Sequence, residues 1–181
     1  MSPKILVTYA SRAGSTRGVA EAISQTLSQR GFDVDVKPMA DIHSVTGYDA
    51  IIAGSAIRID KWLPEAMQFI EKYQQELTQK SFSAFVVCLA MSAQNEKRRK
   101  KALITASNYL KPVREIVPTI SEGLFAGVLN LSKLSLGWRI LFGIVTLLGF
   151  FQEGDYRDWD AIHEWANNLA LELATSANDR S

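Results

Sequence analysis

The chain has 181 residues, 47% of them hydrophobic, and a mean hydropathy of −0.01. That suits one globular domain, residues 1–181, able to bury roughly 70% of its unfolded surface. Twenty basic residues against nineteen acidic ones leave a net charge of +1, which gives no general case for nucleic-acid binding. The single cysteine, Cys88, excludes an internal disulfide and a cysteine-rich metal site, and a reducing, cytoplasmic setting is the simpler reading. No secretory signal pattern opens the chain.

Lys4 to Tyr9 reads as a short β-branched strand. Thr16 to Arg30 places Val19, Ala20, Ile23 and Leu27 at helical spacing, with Gly31 as a stop. Phe32 to Lys37 alternates as a half-exposed strand, and Ala50 to Ser55 is an apolar run suited to a strand covered on both faces. Leu63 to Leu77 is predicted as a helix, Ser83 to Leu89 as a buried strand and Glu96 to Leu110 as a helix with a basic first half. Thr119 to Ala126 is a fifth strand, and Trp159 to Thr175 a closing helix. Strands alternating with helices predict an α/β fold with a parallel sheet covered on both faces.

One segment does not fit that alternation. Gly127 to Asp158 is about thirty residues long where a connection of two to six is usual. Gly123 to Phe151 holds no acidic residue and only Lys133 and Arg139 as basic ones. Its apolar end is too short to span a bilayer without including Arg139. Four readings stand for Leu134 to Phe151: a membrane-surface helix, a hydrophobic lip over the site, an oligomer interface that would make the chain a homo-oligomer, and a core helix.

The first strand runs into Ser11-Arg12-Ala13-Gly14-Ser15-Thr16 before the helix begins. In a doubly wound sheet this turn lies at the carboxyl end of a central strand, where ligands bind. Three hydroxyls, a glycine and a helix N-terminus suit a phosphate monoester. Neither G-x-x-x-x-G-K-[ST] nor G-x-G-x-x-G is present, so nucleoside triphosphate and dinucleotide fingerprints fail. An ordinary Ser/Thr cap is the plainer alternative. A phosphoryl-accepting receiver domain needs carboxylates at the strand ends, but Thr8, Tyr9, Gly54 and Ser55 stand there.

The loop resembles the flavodoxin phosphate loop: Ser11, Gly14, Ser15 and Thr16 match, and Ala13 replaces the usual threonine. The turn Gly54-Ser55-Ala56-Ile57-Arg58 and the insertion before Asp158-Trp159 make the whole chain similar to the flavodoxin-like protoporphyrinogen dehydrogenases. That resemblance implies a flavodoxin-like five-stranded sheet of order 2-1-3-4-5 and noncovalent FMN. It implies electron transfer from a porphyrinogen-like reduced organic substrate to a quinone, at the cytoplasmic membrane face. Ser11 to Thr16 would hold the phosphate.

Two further loops would flank the ring: Ser55, Ala56, Ile57, Arg58 and Trp62, and then Leu89, Ala90, Met91 and Ser92, which lack the aromatic residue usual in electron-carrier flavodoxins. Arg58 either acts catalytically, as a cation at the flavin N1/C2 edge, or pairs with Asp60 at the surface. Trp62 either stacks on the ring or packs in the core. A flavodoxin-type carrier docking to protein partners is the alternative function, although such carriers are usually strongly acidic. Lys97 to Lys101 reads as a solvated basic face or as a contact for anionic groups. His43 and His163 stand apart, with no metal-ligand spacing around either.

Overall fold

The computed structural model describes residues 2–93, 95–129 and 153–178. Five parallel strands form the main sheet: β1 (Lys4–Ala10), β2 (Asp33–Pro38), β3 (Ala50–Arg58), β5 (Ser81–Cys88) and β6 (Ser121–Ala126). Their spatial order is β2-β1-β3-β5-β6. A short β4 (Lys61–Trp62) folds back antiparallel on β3. Once this hairpin strand is set aside, the order is the expected 2-1-3-4-5.

Two apolar layers cover the sheet because side chains alternate along each strand. Ile5 and Val7 of β1 face α1 (Ser15–Gln29) and the C-terminal helix, labelled α6 (Trp159–Asn178); Val19, Ile23 and Leu27 meet Ile162, Ala166 and Leu169 there. Leu6 and Ala10 face the opposite layer, formed by α2 (Pro64–Lys72), α3 (Gln74–Thr78), α4 (Glu96–Tyr109) and α5 (Lys111–Arg114). The predicted helix over Leu63–Leu77 is thus two helices joined at Tyr73. Its ring packs on Phe69, and its hydroxyl donates to the Ile42 carbonyl oxygen at 3.2 Å.

Register explains a small–large–small pattern across the sheet. Phe85 of β5 lies beside Gly54 of β3 and Gly123 of β6. A Cβ on Gly54 would stand 1.9 Å from the Phe85 ring, and one on Gly123 would stand 2.9 Å from the Phe85 Cβ. The two glycines give Phe85 room to lie across its neighbours and meet Phe125 and Trp165, with ring centroids 6.1 and 6.4 Å away.

The expected insertion, residues 127–158, begins and ends inside the fold. β7 (Val128–Leu129) pairs antiparallel with β8 (Gly154–Asp155), and the Tyr156 N–H donates to the Gly127 carbonyl oxygen at 3.1 Å. The two flanks of this segment thus pair with each other, and Leu129 is buried. The interval Leu134–Phe151, with its membrane-surface reading, lies outside the described residues. No helix among the described residues is long and apolar enough to cross a membrane.

Gly54→Ala is expected to destabilise the protein by about 1–3 kcal/mol or more, because the Phe85 ring is locked by its neighbours and cannot yield. Urea unfolding of the variant checks this; a midpoint equal to wild type would contradict it.

Candidate phosphate and flavin site

Strands β1, β3 and β5 of the parallel sheet all end on one edge, and the loops that follow them converge there. The Ser11–Gly14 turn brings β1 into α1. Gly14 has φ of +90°, a left-handed conformation that a side chain would strain, and it caps α1 without supplying a side-chain acceptor. Its N–H donates to Ser11 Oγ at 3.0 Å, which folds the turn on itself. The first amides of α1 have no intrahelical acceptor by construction. In α4 the corresponding amides of Lys97 and Arg98 donate to Asn95 Oδ1, and in α6 the Ala161 N–H donates to Asp158 Oδ1. α1 lacks such a cap.

Thr16 sharpens that contrast. The residue is fully buried, and its Oγ1 has no hydrogen-bond partner among the described residues. An unpaired buried hydroxyl costs about 1–3 kcal/mol, so a group that accepts or donates there repays a standing deficit. An uncapped helix start, a left-handed glycine and an orphaned hydroxyl together fit a phosphate monoester. Ser15 lies beside Gly127, whose built Cβ would stand 3.8 Å from Ser15 Oγ, so the start of the insertion closes one side of the loop. Ala13 sits half-buried in the same turn. Arg12 turns away to the surface, where Nη2 donates to Glu65 Oε2 at 3.0 Å and ties the loop to α2.

The second loop is a tight hairpin. Ile59 and Asp60, with φ of 49° and 56°, form a two-residue connection of the type favoured between twisted strands. A β-branched residue seldom occupies this region, so Ile59 is strained, and it is 77% exposed. The Tyr109 hydroxyl donates to Asp60 Oδ1 at 2.6 Å and latches the tip to α4. Burial, and then the carboxylate beside it, push the Tyr109 phenol above its ordinary range.

Ser55 is buried at the root of this hairpin. Its hydroxyl donates to the Ala56 carbonyl and accepts from the Leu63 N–H at 3.1 Å, so it closes the loop from inside. Ala56 and Ile57 are half-buried and Arg58 is exposed. Tyr109 donates to Asp60, and no ion pair of Arg58 occurs among the described residues. Trp62 is only 5% exposed and packs in the core with Leu63 and Phe69, so stacking on a ring gives way to packing; its Nε1 is buried without a partner.

The third loop, Leu89–Ser92, is a short 3-10 turn in which every residue is half-buried, and Ser92 Oγ donates to the Leu89 carbonyl at 2.7 Å. Ala90 and Met91 rest on the core beneath them. Cys88, just before, is buried, and burial raises its thiol pKa. No group of His, Cys, Asp and Glu among the described residues is arranged to hold a metal. His163 lies in the α1–α6 contact, with Nδ1 2.8 Å from Thr26 Oγ1, and His43 is exposed.

Sequence reasoning missed Arg157. Its guanidinium lies over the Trp159 ring, 4.3 Å from the centroid, and reaches Gly18 in the first turn of α1. Its signal was a glycine inside a helix, a position that otherwise weakens it.

These features define a doubly wound α/β protein with an uncapped helix start at the carboxyl edge of its sheet. Residues 6–148 match the flavodoxin domain family. The chain belongs to that family, and membership implies FMN as cofactor. Protoporphyrinogen IX dehydrogenase (quinone) of Escherichia coli strain K12 is 23% identical over 182 residues, covering 92% of this chain and 94% of that protein. Probable flavodoxin 1 of Bacillus subtilis is 36% identical over 75 residues, 40% of this chain and 48% of that protein. Oxidised Flavodoxin 2 from Bacillus cereus shares the fold, with a TM-score of 0.55, 22% identity and coverage of 96% and 99% of the two chains.

Thr16→Val keeps the shape of the side chain and removes the orphaned hydroxyl. The flavin-free protein is expected to be as stable as wild type or more so, while FMN binding weakens by about 1.5–3 kcal/mol. Thermal unfolding without flavin and FMN titration check the two halves; unchanged FMN affinity would remove Thr16 from the site.

Proposed function

We propose that this chain is an FMN-dependent oxidoreductase that passes electron pairs from a reduced organic substrate of porphyrinogen type to a quinone. The observation that carries this reading is the extent of the likeness to the E. coli dehydrogenase. It runs over 92% of this chain and 94% of that protein, and so takes in the insertion as well as the flavodoxin core. Two features of the chain support it. The Leu89–Ser92 loop presents no aromatic side chain to cover the ring, which leaves a face for a planar substrate. The net charge of +1 and the exposed run Lys97–Lys101 do not suit a carrier steered to basic partners by its own acidity.

In this reading the substrate gives up two electrons and two protons in each cycle, and the quinone takes up both to become a hydroquinone. Complete conversion of a porphyrinogen to a porphyrin requires three cycles. Bound FMN supplies the two-electron redox chemistry. The chain's own residues bind and tune it: Ser11, Gly14, Ser15 and Thr16 hold the phosphate, and Arg12 braces that turn against α2. Ser55 sets the hairpin, while Ala56 and Ile57 line the approach to the ring, with Leu89, Ala90, Met91 and Ser92 opposite. Arg58, without an ion-pair partner among the described residues and on the strained hairpin, would place a cation where negative charge grows on reduction.

The carrier reading is favoured by the local match to Probable flavodoxin 1 of B. subtilis. Anaerobic photoreduction followed by reoxidation separates the two. The enzyme reading predicts rapid reoxidation by quinones and porphyrin formation when a porphyrinogen and a quinone are supplied together. Reoxidation by protein acceptors alone, with no porphyrin formed, would contradict it.

Arg58→Ala is expected to lower the two-electron potential by about 30 mV, the equivalent of a preference of about 1.4 kcal/mol for the reduced flavin. Spectroelectrochemical titration reads this directly. A potential equal to wild type would place the guanidinium away from the ring.

A further inference from the structure

Arg12 and Arg17 flank the start of α1 in sequence, Arg157 reaches it at Gly18, and the three differ in how water screens them. Arg12 is paired with Glu65 and its side chain is 55% exposed; Arg17 is paired with Glu21, 2.7 Å away, and is 64% exposed. Arg157 arrives from the other side of the chain, just after β8, and its side chain is only 17% exposed. Its Nε donates to Asp155 Oδ1 at 2.9 Å and its Nη2 to Asp155 Oδ2, while the plane of the guanidinium rests on Trp159. One edge is thus held by a carboxylate and one face by an indole. The remaining nitrogen, Nη1, points at α1: a Cβ built on Gly18 would stand 2.5 Å from it.

That contact explains a glycine in the first turn of α1, since any side chain at position 18 would displace the guanidinium. The charges of the pair are not equivalent at the turn. Asp155 is 44% exposed and screened by water, whereas Arg157 is mostly covered and directed at the helix start. The cation therefore adds to the field of the uncapped α1 N-terminus, at Gly18, two residues along the helix from Thr16.

We infer that Arg157 is a phosphate-selectivity residue: held by Asp155 and Trp159 against Gly18, it makes the site prefer a flavin with a terminal phosphate over the same flavin without one. This rests on the assignment of Ser11–Thr16 as the phosphate turn. A structural clasp would act on both flavins alike, and a charge acts on the phosphorylated one alone.

The test is the ratio of Kd for riboflavin to Kd for FMN, measured on the full chain freed of flavin. Arg157→Gln is expected to lower this preference about tenfold at low salt while leaving riboflavin affinity in place, and the difference should shrink as salt is added. Arg157→Lys should restore part of it. Gly18→Ala, which favours the helix and keeps the arginine in the chain, should also lower the preference by moving the guanidinium, with no loss of thermal stability. A wild-type ratio in Arg157→Gln overturns the proposal even if both affinities fall. Should that variant not fold, a wild-type ratio in Gly18→Ala overturns it instead. Thr16→Val separates the two levels: if its ratio is also that of wild type, the phosphate-turn assignment fails; if its ratio falls while that of Arg157→Gln does not, the turn stands and the role of Arg157 fails.

Discussion

A helix N-terminus that the chain leaves uncapped, at the carboxyl end of a central strand, is the constraint on which the rest of this structure depends. A parallel sheet sends every strand to the same edge, and α1 begins there with its amides pointing out of the fold. Gly14 turns the chain into the helix without offering an acceptor, and Thr16 buries a hydroxyl that nothing among the described residues satisfies. Both carry a cost in the flavin-free protein, and under the proposed assignment a phosphate would offset both. The surrounding contacts hold that turn in place: Arg12 to Glu65 from α2, Gly127 beside Ser15, and Arg157 over Gly18 from the entry to α6.

The same edge carries two loops of contrasting stiffness. The β3–β4 hairpin is closed from inside by Ser55 and latched from outside by Tyr109, with strain stored at Ile59 between the two. That double anchoring keeps Arg58 at a fixed place on the rim rather than on a loose loop. Leu89–Ser92 is held by its own short turn, by the Ala90 and Met91 amides at Cys88, and by Ala90 and Met91 resting on the core. A rigid wall opposite an uncovered one suits a site where one side tunes the cofactor and the other admits a substrate.

Most of the fold was legible because apolar periodicity and Gly punctuation report burial directly. The five parallel strands and the long helices came from that signal, and the phosphate turn from its hydroxyls and glycine. What was not legible depended on contacts between distant segments. The sequence leaves Trp62 open between stacking on the ring and packing, and only the fold-back of β4 shows it in the core cluster that includes Phe69. The break at Tyr73 follows from its ring and hydroxyl finding tertiary partners, which helical spacing does not reveal. Gly18, Gly54 and Gly123 each serve a side chain far away in sequence, and the flanks of the insertion are brought together by β7–β8 pairing.

The described flanks of the insertion therefore meet the start of α1, Gly127 beside Ser15 and Arg157 at Gly18. The claim beneath all of this is that α1 opens on a phosphate. Backbone amide shifts recorded by NMR during parallel titrations with FMN and riboflavin test it most directly. The account predicts large shifts at Gly14, Ser15, Thr16 and Arg17 with FMN and small ones with riboflavin, while the hairpin amides around Arg58 respond to both. Equal shifts at residues 14–17 with the two flavins, or none with either, would contradict it.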